Sequence, residues 1–163
     1  MINKTYIGVD IGLKGGVAII DSLGNIVKKY PMPVTKEGLD IHSLDNIFWE
    51  YEGFNGLLVL EKLGPIFGTS KKTTWSMGFQ VGAVRTICVA RSIPFLEVPA
   101  KTWQKEMFFG MKPIHKSGTT KIDTKAMALV SLIRLFPDYA LIEPHEGITD
   151  AILIAEYSRR KNL

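Results

Sequence analysis

One cysteine and three histidines are all that the 163 residues offer in soft or imidazole metal ligands. A lone Cys88 excludes an intrachain disulfide, and no Cys/His spacing around it suits zinc. Within VRTICVA (84–90) it reads as a small buried apolar residue. No apolar run approaches the roughly 20 residues that span a bilayer, so no membrane partner is expected. MINKTYIG enters a strand pattern directly, without a secretory apolar region, and the expected compartment is cytoplasmic. There is no repeat and no low-complexity stretch, so residues 1–163 are expected to form a single domain. Apolar content of 46% against 22% charged residues excludes disorder as the default.

What is present is an uneven charge. From Lys62 to Lys125 there are eleven Lys and Arg against Glu97, Glu106 and Asp123, while the rest of the chain carries a net −4. A basic block beside an acidic remainder favours a polyanionic partner.

YIGVDIG, GGVAIIDS and GNIVKKYPMP are three short β-rich runs separated by glycine-bearing turns, the pattern of an antiparallel meander. Residues 38–51 have helical apolar spacing, and GLLVLE (56–61) reads as a central strand buried on both faces. Residues 65–74 read as a polar loop, 75–91 as a helix and 93–99 as a strand. A short helix is expected after Pro99, then a mobile basic loop (110–120) and helices over 121–136 and 147–161. The class is α/β: a mixed five-stranded sheet, three strands antiparallel and then parallel, with helices on both faces.

Three carboxylates stand out in apolar surroundings. Asp10 ends the first strand, Glu61 ends LLVLE, and Asp150 interrupts the inward stripe of the last helix. Taken alone, Asp10 fits a turn cap and Glu61 a partner of Lys62. Side by side on central strands they would repel, and a hard divalent cation would relieve them. Glu146 lies four residues before Asp150, on nearly the same helical face, and His145 precedes it; Glu146 fits a helix-start carboxylate equally well.

IGVDIG, LLVLEK, VPAKTWQK and HEGITDAILIAEY, in that order between Tyr6 and Tyr157, resemble the RuvC-like Holliday-junction resolvases, particularly their bacteriophage and mitochondrial-type relatives. The resemblance implies an RNase H-like fold and a homodimeric endonuclease that resolves four-way DNA junctions by paired phosphodiester hydrolysis. It implies two Mg²⁺ ions, with Mn²⁺ as a possible substitute, held by Asp10, Glu61 and Asp150. The family's fourth ligand stands three residues before the last aspartate, where this chain has Gly147. Glu146 is expected to take that role, with His145 as a ligand or proton shuttle. Lys105 and Lys121 match the basic residues near the scissile phosphate.

Phe67, Lys71 and Lys72 are candidates for DNA contact, Phe67 by stacking on an unpaired base or else as a loop anchor. Lys101, Lys112, Lys116 and Lys125 are candidates around the second basic loop, with Lys121 and Lys125 expected on one face of a helix. Trp103 reads as a packing residue. The helix over 75–91 is apolar around more than one stripe, which suits a partner helix. Sugar kinases and actin-like ATPases begin with a similar strand, but no second glycine-rich phosphate loop exists, so no nucleotide cofactor is expected. A broader branched-DNA debranching enzyme and a non-catalytic nucleic-acid-binding protein are the alternatives.

Overall fold

In the computed structural model, residues 4–52, 56–64, 68, 70–139 and 145–163 are described. Strands β1 (Thr5–Asp10), β2 (Gly16–Asp21) and β3 (Ile26–Pro31) form the antiparallel meander. A two-residue pair, β4 (Val34–Thr35) with β5 (Gly38–Leu39), leads into α1 (Ile41–Trp49). Strand β6 (Gly56–Lys62) then pairs in parallel with β1, and after α2 (Lys71–Ala90) strand β7 (Phe95–Pro99) pairs in parallel with β6. The sheet order is β3-β2-β1-β6-β7, followed in the chain by α3 (Ala100–Met107), α4 (Thr124–Leu135) and α5 (Glu146–Lys161). The expected mixed five-stranded α/β sheet is the one observed.

Alternation along the strands divides the core. Ile7, Val9, Leu58 and Leu60 pack with Leu44 and Phe48 of α1 and with Val84, Ile87 and Cys88 of α2. The opposite face of β6, at Val59, meets Trp103 and Met107 of α3 and Leu153 and Ile154 of α5. On that face Gly8 makes room for α5: a Cβ there would lie 2.1 Å from the Ala151 carbonyl oxygen and 2.4 Å from the Ala155 nitrogen. The last helix thus lies directly on β1, which sets the depth of everything it carries.

Two helices start where local capping, rather than apolar spacing, dictates. Ser70 accepts the Thr73 N–H at 3.1 Å, so α2 begins at Lys71 instead of 75, and Lys71 and Lys72 form its first turn rather than part of a loop. Asp123 accepts the Ala126 N–H at 3.1 Å, so α4 begins at Thr124. Lys121 therefore precedes that helix and shares no helical face with Lys125, contrary to the sequence expectation. The segment expected as a mobile loop over 110–120 instead contains a hydrogen-bonded turn, with Lys116 N–H donating to the Lys121 carbonyl at 2.9 Å. Among the described residues no helix is long and apolar enough to cross a membrane.

Candidate active site

The carboxyl ends of the parallel strands and the starts of α3 and α5 share one end of the sheet. Asp10 is the last residue of β1, and Glu61 follows Leu60, whose partner is Val9, the last pair in the β1–β6 register. Both side chains lie on the α5 face. Asp150 comes down from the second turn of α5, beside the Ala151 carbonyl that rests on Gly8.

The electrostatics couple these groups. Burial, and then the charges of Asp150 and Glu61, push the Asp10 carboxyl up from 3.8 to about 7. Burial, then Glu61 and Glu146, push Asp150 up to about 7, with Lys125 pulling the other way. Burial also raises Glu61, and the hydrogen bond from Trp103 partly offsets it. Trp103 Nε1–H donates to Glu61 Oε2 at 3.0 Å, so this wholly buried indole orients the carboxylate as well as packing. Among the described residues Asp10 and Asp150 have no hydrogen-bond donor or ion-pair partner.

Such a set of half-buried, mutually repelling oxygen donors suits a hard divalent cation in its chemistry. Its spacing is open: among the described residues no three His, Cys, Asp or Glu side chains are gathered tightly enough to form a metal centre as they stand.

Glu146 stands at the rim. It is exposed and bound to Lys125, whose ammonium lowers its pKa, and it faces Asp150 across a cavity of about 250 Å³. That cavity lies between α4 and α5 and is lined by Lys125, Ala126, Ala128, Leu129, Glu146, Thr149 and Asp150. His145 is the N-cap of α5, its Nδ1 accepting the Ile148 N–H at 3.4 Å. Gly147 admits no side chain, because a Cβ there would lie 2.1 Å from the Lys14 carbonyl oxygen.

The basic residues divide differently from expectation. Lys125, read from sequence as a phosphate contact, is the lysine that reaches the carboxylates. Lys105 lies instead with Thr102, Glu106, Phe109, Tyr157 and Lys161. Tyr157 is seven residues beyond Asp150, about 10 Å farther down α5. Lys121 and Lys116 face each other across the turn, Lys112 is exposed at its entry, and Lys101 is exposed in the first turn of α3. Lys71 and Lys72 are exposed at the start of α2, beside Trp75, which is 76% exposed. Phe67 lies outside the described residues.

Neither a protein-family model nor a curated protein matches the chain. Solved structures do match its fold. A Thermus thermophilus RuvC in complex with a Holliday junction substrate is 12% identical over 97% of this chain and 96% of its own, with a TM-score of 0.62. A second Thermus thermophilus RuvC structure gives 13% identity, the same coverage and a TM-score of 0.61. The yeast mitochondrial Holliday junction resolvase Ydc2 gives 16% identity over 94% of this chain and 77% of its own, with a TM-score of 0.60. The chain has the RuvC-type, RNase H-like fold.

Proposed function

We propose that this chain is one metal-dependent nuclease domain that cuts branched DNA, with the four-way junction as its substrate and a homodimer as its working form. The observation that carries the reading is that Asp10, Glu61 and Asp150 stand at one end of the sheet from three separate elements, where burial and one another's charge push two of them to about 7. The likeness to a RuvC bound to a Holliday junction, over nearly the whole chain, supports it.

Asp10, Glu61 and Asp150 would hold Mg²⁺, which when bound would supply an activated water and charge stabilisation for the leaving 3′-oxygen. The chain's own residues do the rest. Trp103 fixes the orientation of Glu61 through its N–H. Lys125 places an ammonium at the lip of the cavity, where it meets a phosphate oxygen once released from Glu146. Glu146, freed in that exchange, is a further carboxylate whose charge Asp150 feels and the candidate fourth ligand; His145 reaches the site only by giving up its cap. Lys71 and Lys72 would hold phosphates beside the centre of the junction.

The homodimer rests on α2. Trp75, Gly78, Phe79, Gly82 and Val89 fall on its outer face, and outside the helix's own backbone nothing among the described residues lies within 4 Å of a Cβ at either glycine. Two helix-interior glycines with no packing reason among the described residues suit close approach of a second α2. Paired cuts across a two-fold junction follow from a two-fold dimer. Such a protein acts where DNA is, in the cytoplasm of a bacterial or phage-infected cell.

The test is a panel of end-labelled four-way, three-way, flap and linear DNAs with Mg²⁺. Symmetric paired nicks confined to the four-way junction are expected. Equal cutting of flaps and three-way forms would favour the debranching reading, and no cutting of any would overturn both.

A further inference from the structure

Residues 114–123 form a small ribbon, exposed from 115 to 122. Asp123 N–H donates to the Ile114 carbonyl at 2.7 Å, Lys116 N–H to the Lys121 carbonyl at 2.9 Å, and Thr119 N–H to the Lys116 carbonyl at 3.0 Å. His115 and Ile122 form an antiparallel bridge, and Gly118 closes the turn with φ +68°. The base is fixed to α4: Ile114 N–H contacts Met127 Sδ at 3.4 Å, and Asp123 caps the helix. Every residue from 115 to 122 is exposed, with Ile122 half covered, so the ribbon adds little to the core.

Its charge has no ion-pair partner among the described residues. Lys116 and Lys121 oppose each other, an arrangement that disfavours the ribbon by itself. Among the described residues no carboxylate pairs with Lys112, Lys116 or Lys121. The one acid between Lys112 and Lys125, Asp123, is spent on the cap. The ribbon springs from the same first turn of α4 that brings Lys125 to Glu146 and Asp150. Four residues from base to tip reach about 13 Å at roughly 3.3 Å per residue. At 3.4 Å per base-pair step that is about four base pairs.

We propose that this ribbon lies in the major groove of one duplex arm, about four base pairs from the phosphate at the carboxylates. A two-stranded ribbon fits that groove, and Lys116 and Lys121 then face the phosphates on its two walls. The inference rests on the branched-DNA reading and adds where the arm runs.

The experiment measures binding to a four-way junction in Ca²⁺, with dimethyl sulfate protection of guanine N7 in the arms. The wild type is expected to protect guanines three to five base pairs from the phosphate it cuts in Mg²⁺. Lys116→Ala with Lys121→Ala is expected to lose that protection and to lower the slope of log K against log salt by about 1.8. Between 50 and 200 mM salt that is roughly a tenfold smaller loss of affinity. Lys116→Arg with Lys121→Arg should keep both readouts. Junction binding with an unchanged slope in the alanine variant, or with no arm protection in the wild type, overturns the ribbon's role alone. A wild type that does not bind the junction overturns the branched-DNA reading, and this inference with it.

Discussion

A Cβ on Gly147 would lie 2.1 Å from the carbonyl oxygen of Lys14 and 2.4 Å from the carbonyl carbon of Gly15. The first turn of α5 is therefore seated on the β1–β2 turn by the absence of a side chain. This is the position at which the RuvC-like pattern carries its fourth ligand, so the departure is steric as well as chemical. Gly147→Asp is expected to destabilise the fold by about 3 kcal/mol, through backbone displacement, and not to strengthen divalent-ion binding. Thermal unfolding and Mn²⁺ titration calorimetry check both; a stable variant with tighter binding would contradict this account.

Asp10 and Asp150 give the site a pH signature. Both are held near 7, above the 3.8 of an unhindered aspartate, so between about 4 and 7 the folded chain binds more protons than the unfolded one. Their contribution to stability is full below about 4 and is lost as pH rises through 7. In EDTA, Asp10→Asn should become more stable than wild type as pH rises, by about 1–3 kcal/mol at pH 8, allowing for partial solvent exposure. Unfolding curves at pH 5 and pH 8 measure the difference; a gap that does not widen with pH contradicts the repulsion.

Trp103 is expected to act on the site through Glu61. Trp103→Phe keeps most of the buried volume and removes the N–H that Glu61 accepts. Mn²⁺ affinity should fall 10- to 100-fold, beyond what the loss of stability explains. Calorimetric titration at a temperature where the variant is fully folded separates the two effects. An unchanged affinity would leave Trp103 as packing alone.

The α2 face gives an independent prediction. Gly78→Leu with Gly82→Leu meets open space within the chain, so the monomer's melting temperature should hold or rise, helped by the better helix propensity of leucine. Sedimentation equilibrium should show the dimer lost. A variant that stays dimeric would move the interface off α2.

The antiparallel meander, the buried run of β6 and the places of the three carboxylates were legible in the sequence because each is a local signal: an apolar run, and an acid that ends or interrupts it. The starts of α2 and α4 were not, because Ser70 and Asp123 cap turns that carry no apolar spacing. Lys125 read as a phosphate contact because its partner Glu146 is 21 residues away and meets it only when α4 and α5 pack. Lys105 was expected near the cut, yet the direction of α3 carries it to Tyr157 and Lys161. Gly8 and Gly147 gave no sign of their roles, since what each admits is decided by the backbone facing it.

Asp10 is the residue on which the account turns, and Asp10→Asn with a labelled four-way junction tests it most directly. Cleavage in Mg²⁺ should disappear, while junction binding in Ca²⁺ stays within about threefold of wild type, because on the proposed reading the change removes a metal ligand and no phosphate contact. Paired nicks that persist in Asp10→Asn would contradict the carboxylate site.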